Sequence, residues 1–169
     1  MTTRPTTDRV REALFSMLQG RGLLDGALVL DLYAGTGALG IEALSRGAAH
    51  ATFVERDRDA LRALDQNLAS LDLTDLGVVL RCPVDRASGR LASGSRFTLV
   101  FLDPPYADAP AAATHLGALR PVFDAEVTVV FEHSSRDAVP TPEGFACTDS
   151  RVYGDTQVSF FGLAPAAAT

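Results

Sequence analysis

The chain has 169 residues, 47% of them hydrophobic, enough for one sizeable core and too few to divide comfortably into two domains. Its net charge of -6 argues against a protein that coats nucleic acid through a broad basic field, although all 15 basic residues are arginine, whose planar fork suits local phosphate contacts. No run approaches the roughly 18 consecutive apolar residues of a membrane span. The opening Met1-Thr2-Thr3-Arg4-Pro5 lacks the apolar core of a signal peptide, and Cys82 and Cys147, read as buried thiols, have neither disulfide-framework nor zinc spacing. A single cytoplasmic domain without a metal is the expectation.

After Pro5, Val10, Ala13, Leu14, Met17 and Leu18 recur at the spacing of one helix face, with Thr6 or Thr7 as candidate cap, so residues 1–21 predict a leading amphipathic helix. Arg4, Arg9, Arg11 and Arg21 outnumber Asp8 and Glu12 there, which makes the segment either the main basic surface or a solvated helix face. Residues 27–33 (ALVLDLY) read as a buried strand, followed by a glycine-rich turn and a helix from 38 to 46 that stops at Gly47. The unit recurs: 51–55 as a strand, then Ala60, Leu61, Leu64 and Leu68 along a helix face, then a third strand over 77–82. A weakly helical 86–92 leads to FTLVFLD (97–103), the most hydrophobic strand, which breaks at two prolines. A helix over 111–119, a strand over 127–133 and a hairpin of 145–152 with 157–163 turning at Gly154-Asp155 complete the order, and 164–169 reads as a frayed tail. Alternating strands and helices predict an α/β fold, a mostly parallel sheet covered on both faces, with an antiparallel C-terminal hairpin.

Asp31-Leu32-Tyr33-Ala34-Gly35-Thr36-Gly37-Ala38-Leu39-Gly40 occupies the first strand-to-helix turn, where ligands of open α/β sheets bind. Gly35, Gly37 and Gly40 satisfy GxGxxG, which alone would suggest a dinucleotide. Asp31, placed where a dinucleotide-binding strand carries an apolar residue, fits a cationic ligand better. S-adenosylmethionine brings an amino group and a sulfonium and no pyrophosphate, so Asp31, Tyr33, Ala34, Gly35, Thr36 and Gly37 are candidate cofactor contacts. Glu55, with Arg56 beside it, ends the second strand and can accept from ribose hydroxyls; Asp85 can accept from the adenine amine, with Arg86 at its flank, or is a turn-forming Asp.

Asp103-Pro104-Pro105-Tyr106 follows the fourth strand, opposite the glycine loop if the strand order is the usual one. An exocyclic base amine is a poor nucleophile because its lone pair is delocalised into the ring. If the Asp103 carboxylate and the Pro104 carbonyl each accept one amine hydrogen, that lone pair can face a methyl donor. The prolines fix the carbonyl's direction, and Tyr106 can stack on an unstacked base. Without the surrounding pattern, Asp-Pro-Pro is an ordinary strand-ending turn. His50, His115 and His133 sit in separate elements and suggest structural roles, with a secondary role open for Glu132-His133 at the end of the fifth strand.

Taken together, RPTTDRVREALFSML (4–18), DLYAGTGALGIEALSRGA (31–48), DPPY (103–106) and RVYGDTQVSFF (151–161) resemble the RsmD family, bacterial 16S rRNA guanine-N2 methyltransferases. DPPY is shared by many amino-methyltransferases; its combination with the RPTTDRVRE segment is far more specific. The resemblance implies a Rossmann-like class I methyltransferase with a seven-stranded sheet and S-adenosylmethionine as donor. The implied acceptor is one guanine of the helix-31 loop of 16S rRNA, in the assembling or assembled small ribosomal subunit. It further implies that Thr7 and Arg9 lie in a segment that closes over the cofactor or faces RNA, with Arg4 and Arg11 as neighbouring RNA contacts in a monomeric enzyme. Such proteins usually carry a glycine- and arginine-rich hairpin before RPTT; three residues precede Arg4 here, so weak binding of free RNA is expected. An amino-methyltransferase acting on adenine or cytosine of DNA could use the same loop. An NAD-dependent oxidoreductase would explain GxGxxG but leave Asp31 and DPPY unused, and a non-catalytic RNA-binding module is the remaining alternative.

Overall fold

The computed structural model describes residues 5–138 and 141–168. Its elements run α1 (Pro5–Gly20), β1 (Leu28–Leu32), α2 (Ala38–Ser45), β2 (His50–Glu55), α3 (Arg58–Ser70), β3 (Gly77–Arg81), β4 (Phe97–Leu102), α4 (Ala109–Ala118), β5 (Phe123–Ser134), β6 (Phe145–Tyr153) and β7 (Thr156–Leu163). The seven strands form one sheet in the order β3-β2-β1-β4-β5-β7-β6, parallel from β3 to β5 and antiparallel at β7 and β6. This is the Rossmann-like class I methyltransferase fold that the resemblance implied.

The central strands are buried on both faces, so their side chains divide by alternation. Val29 of β1, Leu99 and Phe101 of β4, Val130 of β5 and Phe160 of β7 join Phe15, Leu18, Leu44 and Leu64 on the face covered by α1, α2 and α3. Leu30, Leu32, Val100, Leu102, Phe131 and Phe161 join Ala87, Ala112 and Leu116 on the other face, which α4 and a 3₁₀ segment at Val84–Gly89 cover.

α1 begins at Pro5, a residue whose fixed φ suits the first helical position, so Thr6 and Thr7 fall inside the first turn instead of capping it. Asp57 does cap α3, accepting from the N–H of Asp59 and Ala60. β5 starts at Phe123, four residues before the predicted start, because Phe123 pairs with Phe97 ahead of a register irregularity. Cys82 is a buried thiol, but Cys147 is exposed, since β6 is the edge strand with one flank uncovered. Among the described residues, no helix is long and apolar enough to cross a membrane.

The chain passes from β1 outward through β2 to β3, then returns to β4 on the other side of β1. β1 and β4 are therefore neighbours whose following turns diverge, the switch-point arrangement that opens a crevice at the carboxyl ends of the strands.

Candidate active site

At that crevice lies a cleft of about 840 Å³. Its walls come from four turns: Tyr33 to Thr36 after β1, Glu55 and Arg56 after β2, Cys82 to Arg86 after β3, and Asp103 to Pro105 after β4, with Asp108, Ala111 and His115 closing one side.

The glycine loop is held from within. Tyr33 sits at φ 60, Gly35 at φ 58 and Gly37 at φ 87, a succession of left-handed residues that turns the chain sharply from strand to helix. Glu55 Oε2 accepts the Gly35 N–H at 2.8 Å, while Oε1 accepts those of Arg56 at 2.7 Å and Asp57 at 2.8 Å. Asp31 Oδ2 accepts the Gly40 N–H at 2.9 Å. The Gly37 N–H is taken by the Ala34 carbonyl, and Asn67 Nδ2 donates to the Thr36 carbonyl. A Cβ on Gly40 would stand 2.4 Å from the Phe53 ring, so this glycine is required for helix–strand packing.

These bonds bear on the choice of ligand. A pyrophosphate needs free N–H donors at the glycine turn and the start of the following helix, yet here the N–H groups of Gly35, Gly37 and Gly40 already have acceptors within the protein. The cleft is also lined by Glu55, Asp85, Asp103 and Asp108 against Arg56 and Arg86, an excess of acceptors suited to a cation and to hydroxyl or amine hydrogens. The residues present fit S-adenosylmethionine and oppose the oxidoreductase alternative.

Asp31 is buried, and burial pushes its carboxyl well above the usual range; the Gly40 bond opposes that shift, and the charges of Asp103 and Glu55 add to it. It stands behind the loop and does not line the cleft. Gly37 and Thr7 do not line it either, whereas Tyr33, Ala34, Gly35, Thr36, Glu55, Arg56 and Asp85 all do. Burial, then the charge of Asp108, raises the Tyr33 hydroxyl above its ordinary value.

The second loop leaves its acid unengaged. Asp103 opens toward the cleft, yet crowding by the surrounding protein and then the charge of Glu132 push its carboxyl up to about 7. Glu132, partly buried near the end of β5, is also raised, by burial. Pro104 and Pro105 line the cleft beside Asp103; Tyr106 lies outside it, 44% exposed, with its hydroxyl 2.8 Å from Thr156 Oγ1 on β7. This tether fixes the ring at the mouth of the crevice.

Sequence reasoning passed over Cys82, Pro83, Val84, Asp108, Ala111 and His115 as cleft residues. His115 shares a helix face with Ala111 four residues earlier, a spacing visible in the sequence, but nothing local shows that α4 turns this face to the cleft. His133 has the structural place expected of it: it is buried, with Nε2 2.9 Å from Ser159 Oγ and Nδ1 3.0 Å from the Ser134 carbonyl. His50 lines a smaller pit at the opposite end of the sheet. Among the described residues no cluster of His, Cys, Asp or Glu could hold a metal ion. In the leading segment Arg4 lies outside the described residues, Arg9 is exposed, and Arg11 pairs with Asp8 at 3.2 Å.

Comparison with known proteins adds four findings. The family described as "Conserved hypothetical protein 95" matches residues 1–162. The "Putative rRNA methyltransferase YlbH" of Bacillus subtilis is 38% identical over 168 residues, 95% of this chain and 88% of its own length. The "Ribosomal RNA small subunit methyltransferase D" of Escherichia coli K12 is 47% identical over 104 residues, which cover 61% of this chain and 50% of that protein. Among solved structures, magnesium protoporphyrin IX methyltransferase from Synechocystis, with bound S-adenosylmethionine, superposes with a TM-score of 0.70 over 94% of this chain and 80% of its own. At 16% identity that likeness concerns the fold alone.

Proposed function

From the premise that the chain belongs to the Conserved hypothetical protein 95 or RsmD family of S-adenosylmethionine-dependent methyltransferases, we propose that it methylates the exocyclic N2 of a guanine in 16S rRNA. The product is N2-methylguanosine. The observation that carries this reading is the Asp103-Pro104 turn on the wall of an acid-lined cleft in which all three loop glycines give their N–H groups to acceptors within the protein. The substrate is the rRNA of an assembling or assembled small subunit in the cytoplasm.

When bound, S-adenosylmethionine supplies a methyl carbon made electrophilic by its sulfonium. Glu55, already oriented by three backbone N–H groups, accepts from the ribose hydroxyls with its remaining lone pairs, and Asp85 with Arg86 flanks the adenine. Asp31 acts from behind the loop, through its hold on Gly40. Asp103 and the Pro104 carbonyl each accept one hydrogen of the target amine, which turns the nitrogen lone pair toward the methyl carbon. As nitrogen gains positive charge, ionised Asp103 would stabilise it and then receive the proton that nitrogen sheds after the transfer, passing it to solvent. The exposed Tyr106 ring would stack on the base that has left its own stack.

The test uses small-subunit particles from cells lacking the enzyme, incubated with the protein and labelled methyl donor and then digested to nucleosides. Label in N2-methylguanosine is the expected result. Label in a methylated adenosine or cytidine, or transfer to duplex DNA in preference to the particles, would overturn the assignment.

A further inference from the structure

Resting on the guanine reading above, we propose that Glu132 is a specificity-determining residue that accepts the N1–H of the target guanine while Asp103 accepts a hydrogen of the adjacent amine. The two carboxylates together then read two neighbouring donors on one edge of the base.

The sheet places them for this. β4 and β5 pair in parallel with Leu99 opposite Thr128, Val100 opposite Val129, Phe101 opposite Val130 and Leu102 opposite Phe131. One step further along the same register sets Asp103 beside Glu132, on strands about 5 Å apart and with side chains on the same face. The Glu132 charge is one of the two causes that raise Asp103, burial alone raises Glu132, and no hydrogen bond contributes to the shift of either group. Two half-enclosed carboxylates side by side with no donor between them are an unfavourable arrangement in the empty cleft. Two adjacent N–H donors would relieve it.

The same neighbourhood holds the base's stacking partner. The Tyr106 hydroxyl is fixed to Thr156, whose partner across β5 and β7 is Ser134, two residues beyond Glu132 and on the same face of the sheet. Asp103 lines the cleft, and Glu132 and Tyr106 stand just beyond its wall at the ends of β4 and β5.

Guanine alone among the four bases presents a ring N–H next to its exocyclic amine. In adenine and cytosine the ring nitrogen next to the amine carries a lone pair, which would face the Glu132 carboxylate and find no hydrogen. A site built to bond a hydrogen rejects the analogue that lacks it, because its own polar group is then left unpaired. Asp103-Pro104 supplies the reaction common to amino-methyltransferases; Glu132 supplies the choice of base.

The experiment compares two small-subunit particles, reconstituted from ligated 16S rRNA that carries either guanine or 2-aminopurine at the position that receives the methyl group. 2-Aminopurine keeps the reactive amine and lacks the N1 hydrogen. The unmodified protein should methylate the guanine particle roughly 10- to 100-fold faster in single turnover, the scale of one lost bond to a charged acceptor. Glu132→Gln, whose amide can donate to N1 of 2-aminopurine, and Glu132→Ala should bring the ratio close to one, with S-adenosylmethionine affinity by calorimetry unchanged and the thermal midpoint no lower than that of the unmodified protein. A variant that keeps the full preference, or an unmodified protein that shows none, would overturn the role of Glu132 and leave the methylation of guanine standing. Absence of N2-methylguanosine from the guanine particle would instead sink the substrate reading on which it rests.

Discussion

In the turn after β1, Asp31 and Glu55 give their oxygens to the backbone N–H groups of Gly40, Gly35, Arg56 and Asp57; in the turn after β4, Asp103 faces the cleft beside Glu132 and takes its raised pKa from crowding and charge alone. The first set builds the cradle. The second is held in reserve for what enters it, at the cost of a carboxyl that ionises reluctantly near neutral pH. On the proposed reading, a carboxylate satisfied by its own protein serves binding and shape, and one left without a donor serves the reaction.

The sharpest way to break this contrast is at Asp103. Asp103→Ala should slow methyl transfer roughly 100- to 1000-fold, the scale for one lost transition-state hydrogen-bond partner, while S-adenosylmethionine affinity stays within a few-fold. Asp103→Asn keeps an acceptor oxygen and should retain more activity than Ala. Equal inactivity of the two in single-turnover assays with bound cofactor would mean that charge or basicity, not acceptance of a hydrogen bond, is what the reaction requires.

Glu55→Ala should show the opposite profile, a loss of about 1.5 to 3 kcal/mol in cofactor affinity by calorimetry. Part of that loss comes from freeing the Gly35 N–H that Glu55 now holds. Unchanged affinity would remove Glu55 from the binding site. Gly40→Ala tests the cradle's packing: its Cβ would meet the Phe53 ring and approach Asp31 Oδ2 to 3.0 Å, so urea denaturation should show a loss of about 1 to 3 kcal/mol, the cost of overpacking. Wild-type stability in that variant would mean that α2 can move off the sheet freely.

A further effect is the pH dependence of the reserved acid. Asp103 is raised from 3.8 to about 7 in the folded chain, so its protonated form is the one that folding favours. The stability this brings is complete below pH 3.8 and is lost as pH rises through about 7. Asp103→Asn should therefore gain in thermal midpoint relative to the unmodified protein between pH 5 and pH 8, with Glu132 on β5 and Asp31 on β1 as the neighbouring acids that set the repulsion. A cationic ligand favours the ionised form, so affinity for S-adenosylmethionine should rise through the same range more steeply than affinity for its uncharged thioether product. Parallel pH profiles for the two ligands would mean that the Asp103 charge does not reach the sulfonium.

The elements of the cradle were legible because each has a local signal: hydrophobic strands ending in Asp31 and Glu55, glycines at the turn, and leucines at helical spacing in α3. DPPY was legible for the same reason, a hydrophobic strand stopped by prolines. The partnership of Asp103 with Glu132 was not, since it depends on the register between strands 29 residues apart in sequence, which nothing local to either residue specifies. The early start of β5 was hidden by Asp124 and Glu126, which read as loop, and the exposure of Cys147 depends on β6 being the edge strand. Asp31 carried the right chemistry for a cationic ligand, but its distance from the cleft wall follows from Gly40 packing against Phe53, a contact between two strand–helix units.

The bond between Tyr106 and Thr156 joins the loop after β4 to the tight turn that begins β7, 50 residues later in the chain. Turns of this kind, here Gly154-Asp155, are where related sequences are expected to drift freely. In this protein that freedom is curtailed: a change in the hairpin's tilt would re-aim the Tyr106 ring, so on the proposed reading the two C-terminal strands bear on how a base is received.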